Sequence, residues 1–101
     1  MLAEITIIPL DKGAHLSKYV VKTIDIIKKS GLPYKINPMS TVVEGSYDDV
    51  MALIKKCHKN MLKISNRVST SIKIDDKKDA KNQIDYKINV IEKRLKCGLS
   101  K

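Results

Sequence analysis

Two extended runs meet in the middle of this chain with almost nothing between them. Tyr34-Lys35-Ile36-Asn37 and Thr41-Val42-Val43-Glu44-Gly45 are separated only by Pro38-Met39-Ser40, a corner too short for a helix and of the right length for a hairpin. A segment of helical period leads up to the first run and another follows the second. The hairpin is therefore expected to join two β-α-β halves, which restricts the topologies open to the chain more than any other feature of it.

The rest of the chain supplies the elements this arrangement needs. Ala3-Glu4-Ile5-Thr6-Ile7-Ile8-Pro9 is rich in β-branched residues, alternates in part and is closed by proline, which predicts a first strand. Its parity puts Ala3, Ile5 and Ile7 on one face and Glu4, Thr6 and Ile8 on the other. From about His15, apolar residues recur at Leu16, Val20, Ile24 and Ile27, a helix that Gly31 stops. Ser46-Tyr47-Asp48-Asp49 reads as a capping box, followed by the stripe Val50, Ile54, Cys57 and Met61. A fourth strand is expected over 67–75, with Val68, Thr70, Ile72 and Ile74 pointing inward and Ser69, Ser71 and Lys73 on the opposite face. A last helix over about Ala80 to Lys96 carries Ile84, Ile88, Ile91 and Leu95, and Gly98 ends it.

The order β-α-β-β-α-β-α predicts an α+β fold of the ferredoxin-like kind. Its four-stranded antiparallel sheet would have helices on one face, with a C-terminal helix added. The opposite sheet face would be left uncovered. Apolar residues such as Ile8 on that face predict association through sheet faces, as a homodimer or homotetramer.

Length and composition narrow the function classes. At 101 residues the chain is expected to form a single domain, 1–101, that buries about two thirds of its unfolded surface. No apolar run approaches the roughly 20 residues of a membrane span, and Met1-Leu2-Ala3-Glu4-Ile5 does not read as a secretory leader, so a cytoplasmic location is expected. The net charge of +9 raises nucleic acid as a partner. Against this, the cations are nearly all lysines, with Arg67 and Arg94 the exceptions, and the chain has no Phe or Trp to stack bases. Nucleic acid is therefore disfavoured.

Chemistry-bearing residues are few. Cys57 and Cys97 form no C-x-x-C pair and read as reduced thiols, Cys57 as a small buried hydrophobe. His58 adjoins Cys57 in sequence, but successive helical residues point about 100° apart, so the two are not expected to form a dyad. The charged loop Asp75-Asp76-Lys77-Lys78-Asp79 lacks the glycine and distal glutamate of a calcium loop. No metal site, cofactor or catalytic constellation is expected. That leaves the hydroxyls and carboxylate of Ser40, Thr41 and Glu44 beside an apolar strand. They read either as solvated hairpin residues or as one wall of a pocket for a small polar ligand.

The segments 4–9, Tyr34 to Gly45 and Arg67 to Asp76 resemble the small single-domain proteins of the thiamine-binding protein superfamily. The most specific pieces are Pro-Met-x-Thr-x-x-Glu-Gly at Pro38 to Gly45 and Ile-Lys-Ile-Asp-Asp at Ile72 to Asp76. The resemblance implies a non-enzymatic binding protein that assembles into dimers or tetramers. Thiamine or its hydroxymethylpyrimidine fragment would be the ligand, held by Met39, Ser40, Thr41 and Glu44 near a subunit interface. An aminopyrimidine has an exocyclic amine donor and ring-nitrogen acceptors, which a carboxylate and a hydroxyl can fix while Met39 lies on the ring face. Strand parity adds Thr6 and Ser69. The alternative is an oligomeric regulatory or interaction protein that binds another small metabolite, or none.

Overall fold

The computed structural model describes residues 1–79 and 81–95. Seven elements follow in order: β1 (Leu2–Pro9), α1 (Ser17–Lys29), β2 (Tyr34–Ile36), β3 (Thr41–Glu44), α2 (Tyr47–Leu62), β4 (Val68–Asp75) and α3 (Gln83–Leu95). The strands form one sheet in the order β2-β3-β1-β4, with every neighbouring pair antiparallel. This is the ferredoxin-like arrangement that the hairpin and its flanking helices predict. Cys97 and Gly98 lie outside the described residues.

The register follows from the alternation. Ala3 stands opposite Val43 and Ile74, and Ile5 opposite Thr41 and Ile72, so these residues share the face on which α1 and α2 pack. The core is built there from Ala3, Ile5, Ile7 and Val43 beneath Ile27 of α1 and Val50, Leu53, Ile54, Cys57 and Met61 of α2. Burial of Cys57 pushes its thiol up to about 11, consistent with a packing role. The neighbouring His58 points elsewhere, its Nδ1 lying 2.6 Å from the Thr70 hydroxyl of β4.

Local chemistry sets the boundaries. The Ser46 side chain accepts a hydrogen bond from the Asp49 backbone N–H at 3.1 Å, and Asp48 and Asp49 complement the α2 dipole. After α1, Gly31 adopts φ +79°, the left-handed conformation that ends a helix at little cost only for glycine. Gly45 is confined instead by space. A Cβ there would lie 3.2 Å from Leu32 Cδ2, while its backbone N–H and C=O are tied to the Met1 carbonyl and amino group.

Two features depart from the sequence expectation. Ile72 and Ile74 occupy the helix-side face as their parity predicts, yet they are 40% and 43% exposed rather than buried. β4 is the outer strand, and the helix layer does not extend over its second half. The sheet face opposite α1 and α2 is not wholly open either. Glu44 and Asp75 both stand opposite Leu2 on that face, and both are held by α3, through its first backbone N–H groups and through Lys87 respectively. The last helix therefore crosses one end of the second face.

Candidate functional site

A cleft of about 230 Å³ opens between α1 and the sheet at the end nearest the hairpin corner. Its floor is Ile5, Ile7 and Thr41, its wall is the inner stripe of α1 from Leu16 to Ile27, and its rim is Ile36 to Ser40. The cleft exists because α1 buries only Ile27 completely, leaving Val20 and Ile24 partly uncovered.

The rim is tied down by a few polar contacts. The Asn37 N–H donates to the Ser40 carbonyl at 2.8 Å, closing the turn. From β1, the Thr6 hydroxyl donates to the Met39 carbonyl at 3.3 Å, and Glu4 accepts the Ser40 hydroxyl at 3.2 Å. These bonds hold the turn against the strand that forms the cleft floor. On the other side, the loop leading into α1 is held by Asp11, which accepts the Ser65 hydroxyl at 2.6 Å and the Asn66 N–H at 2.9 Å. Those hydrogen bonds keep its carboxyl below the ordinary carboxylate range.

Thr41 is the central polar group. It is 8% exposed, and its hydroxyl has no hydrogen-bond partner among the described residues. The hydroxyl is not sealed from solvent, so it is open to a water or a ligand in the cleft. Thr23 and Asn37 add two further polar groups to the lining. Sequence reading passed over both. The signal for Thr23 was present, because it falls on the α1 stripe three residues after Val20 and four before Ile27.

The six residues singled out from sequence do not all meet here. Thr41, Ser40, Met39 and Thr6 line the cleft or its rim, although the Met39 side chain is 88% exposed at the mouth. Glu44 and Ser69 are not among the lining residues. Ser69 stands opposite Ile8 on the second face. Glu44, 8% exposed, accepts the N–H groups of Gln83 and Ile84 at 2.9 and 3.3 Å and so caps α3. No charged side chain lines the cleft among the described residues.

A family model described as thiamine-binding protein matches residues 3–92. The chain belongs to the thiamine-binding protein family. Among its relatives, the UPF0045 protein MJ1052 of Methanocaldococcus jannaschii is 44% identical, over 90% of this chain and 91% of the relative. A UPF0045 protein of Methanothermobacter thermautotrophicus is 34% identical over 92% and 97% of the two chains. The crystal structure of MJ1052 superposes with a TM-score of 0.83 over 89% of this chain and 93% of that one. A Thermotoga maritima structure described as a candidate thiamine biosynthesis/salvage protein superposes at 0.80 over 89% and 96%; at 22% identity that likeness shows the fold alone.

Proposed function

We propose that this member of the thiamine-binding protein family is a non-enzymatic small-molecule-binding protein whose α1 cleft takes the hydroxymethylpyrimidine fragment of thiamine in preference to the whole vitamin. The observation that carries this reading is the Thr41 hydroxyl, which stands on the floor of a largely apolar cleft with no hydrogen-bond partner among the described residues. Such a group fixes the edge of a ring whose faces are held by Ile5, Ile24 and Val20, while Asn37 and Thr23 supply further polar partners.

Two further features support the fragment. At about 230 Å³ the cleft is smaller than the roughly 300–1,000 Å³ of pockets that enclose drug-sized ligands, and it suits one ring better than two. Its lining carries no carboxylate to pair with a thiazolium cation and no cation to pair with a phosphate. A neutral pyrimidine is also not repelled by the net charge of +9. In this reading copies associate through the second sheet face, where Ile8 and Val42 are half-buried, and the hairpin lies near the contact between them.

Calorimetry tests the reading. Hydroxymethylpyrimidine is expected to give a saturable heat, thiamine a weaker one, and Thr41→Val to weaken the fragment by about 1 kcal/mol without unfolding the protein. Absence of heat from both ligands, or identical affinity in the Thr41→Val variant, would count against it.

A further inference from the structure

The ladder between β1 and β3 stops before β1 does. Paired residues run from Leu2 opposite Glu44 to Ile5 opposite Thr41, whereas β1 continues along β4 as far as Pro9. Beyond Ile5 the strand has a neighbour on one side only, and the α1 cleft opens on the other.

The backbone groups left there follow from the alternation of bonded and non-bonded pairs in an antiparallel ladder. Met1 and Gly45 exchange two hydrogen bonds, at 3.1 and 3.0 Å. Ala3 with Val43 and Ile5 with Thr41 are therefore the next bonded pairs. Even-numbered residues turn to the other side, as the Leu10 N–H does in donating to the Arg67 carbonyl of the β4 side at 2.8 Å. Ile7 is thus the next residue whose N–H and C=O point toward β3. Met39 would stand opposite it if the ladder went on, but Met39 sits in the turn closed by Asn37 and Ser40, and its carbonyl takes the Thr6 hydroxyl. Among the described residues, neither backbone group of Ile7 has a partner on this side.

The lining sets the cleft against this bare edge. Side chains of β1 alternate between the two faces, so a cleft confined to the helix side would touch Ile5 and Ile7 and miss the residues between them. Thr6 and Ile8 line it as well. The cleft therefore reaches into the plane of the sheet, in the gap between Ile7 and the hairpin corner. An N–H and a C=O of one residue, aimed the same way, are what a facing strand residue satisfies with one acceptor and one donor. A ring nitrogen beside an exocyclic amine carries the same acceptor and donor on one edge.

We propose that the Ile7 N–H and carbonyl are the recognition edge of the cleft and select ligands of the 4-aminopyrimidine class. The N–H donates to the ring nitrogen next to the amine-bearing carbon, and the carbonyl accepts from the amine. Thr41 then serves another atom of the ring from the floor. The inference rests on the reading of the cleft as a pyrimidine site and adds the group that chooses the ring. It also accounts for a cleft whose side chains supply so few polar atoms, since backbone N–H and C=O groups can fix a ligand's orientation in their place.

Amide exchange and calorimetry on the full-length protein test it. Without ligand, the Ile7 N–H should exchange at least roughly tenfold faster than the bonded Ile5 N–H; equal protection would overturn the proposal whatever the cleft binds. Saturating hydroxymethylpyrimidine should slow exchange at Ile7. Heat of binding with exchange at Ile7 unchanged would overturn the proposal and leave the pyrimidine reading standing, whereas no heat from any pyrimidine would remove both. The same pyrimidine lacking its 4-amino group should bind roughly tenfold more weakly, the scale of one lost hydrogen bond. That ratio should persist in Thr41→Val, because the amine is held by Ile7. A ratio that collapsed in the variant would give the amine to Thr41 and overturn the assignment.

Discussion

The two β-α-β halves share a topology but not a quality of packing. α2 begins at a serine cap, carries two aspartates in its first turn and buries Val50, Leu53, Ile54, Cys57 and Met61. α1 begins at Leu16, which offers no side-chain cap, has no acid in its first turn and buries Ile27 alone. One half is thus built as a core. The other stops short of closing on the sheet, and the cleft with Thr41 at its floor is the space that results. Departures from local consistency that coincide with a concave site are expected where a protein binds something. The weaker capping of α1 therefore fits the same picture as the open space beneath it.

Substitutions can break or sharpen this contrast. The largest expected effect is Met61→Ala, which empties a fully buried position under α2 and should cost about 2–5 kcal/mol in urea unfolding. Ile24→Ala, on the matching side of α1, should cost clearly less because its site is already partly open. Equal losses would mean that the two halves are equally packed. Ser46→Ala removes the α2 cap and should lower stability by about 1 kcal/mol, a loss for which Leu16 of α1 has no counterpart. Thr23→Val keeps the shape of the side chain and removes a polar group of the lining. Thermal unfolding should change little, within roughly 0.5 kcal/mol, while affinity for hydroxymethylpyrimidine falls.

The smallest effect concerns the loop that leads into α1. The Asp11 carboxyl is held below the ordinary carboxylate range by its hydrogen bonds from Ser65 and Asn66, so its ionised form is favoured in the folded state. The stabilisation is present above the unfolded carboxylate pKa and is lost as the pH falls through the lower, folded value. Asp11→Asn should therefore be less stable than the parent near neutral pH. Melts recorded at stepwise lower pH should converge, and a difference that persisted in acid would refute this role.

Much of the fold was legible in the chain. The parity of β1, the hairpin, the Ser46 cap and the Gly31 stop are local signals, and local chemistry produced each of them. The exposure of Ile72 and Ile74 was not legible, because a period of two assigns a face without saying what covers it. The candidate site was half legible. Ser40 and Thr41 stood out as hydroxyls beside a β-branched run, whereas Thr23 was hidden in a helical stripe and meets Thr41 only through the crossover. Glu44 shows the limit of reading spacing alone. Its neighbours in sequence suggest a pocket wall, but its partners are backbone amides about forty residues further on.

That long-range cap also sets a timetable. A helix of 13 residues, such as α3, is marginal by itself in water, and nucleating its first turn is the costly step. The carboxylate that relieves this cost belongs to β3 and reaches its place only once the strand has paired with β1. α3 is thus templated by a finished sheet. It should be the last element to order as the chain folds and the first to let its amides exchange, with the Gln83 and Ile84 N–H groups the slowest within it.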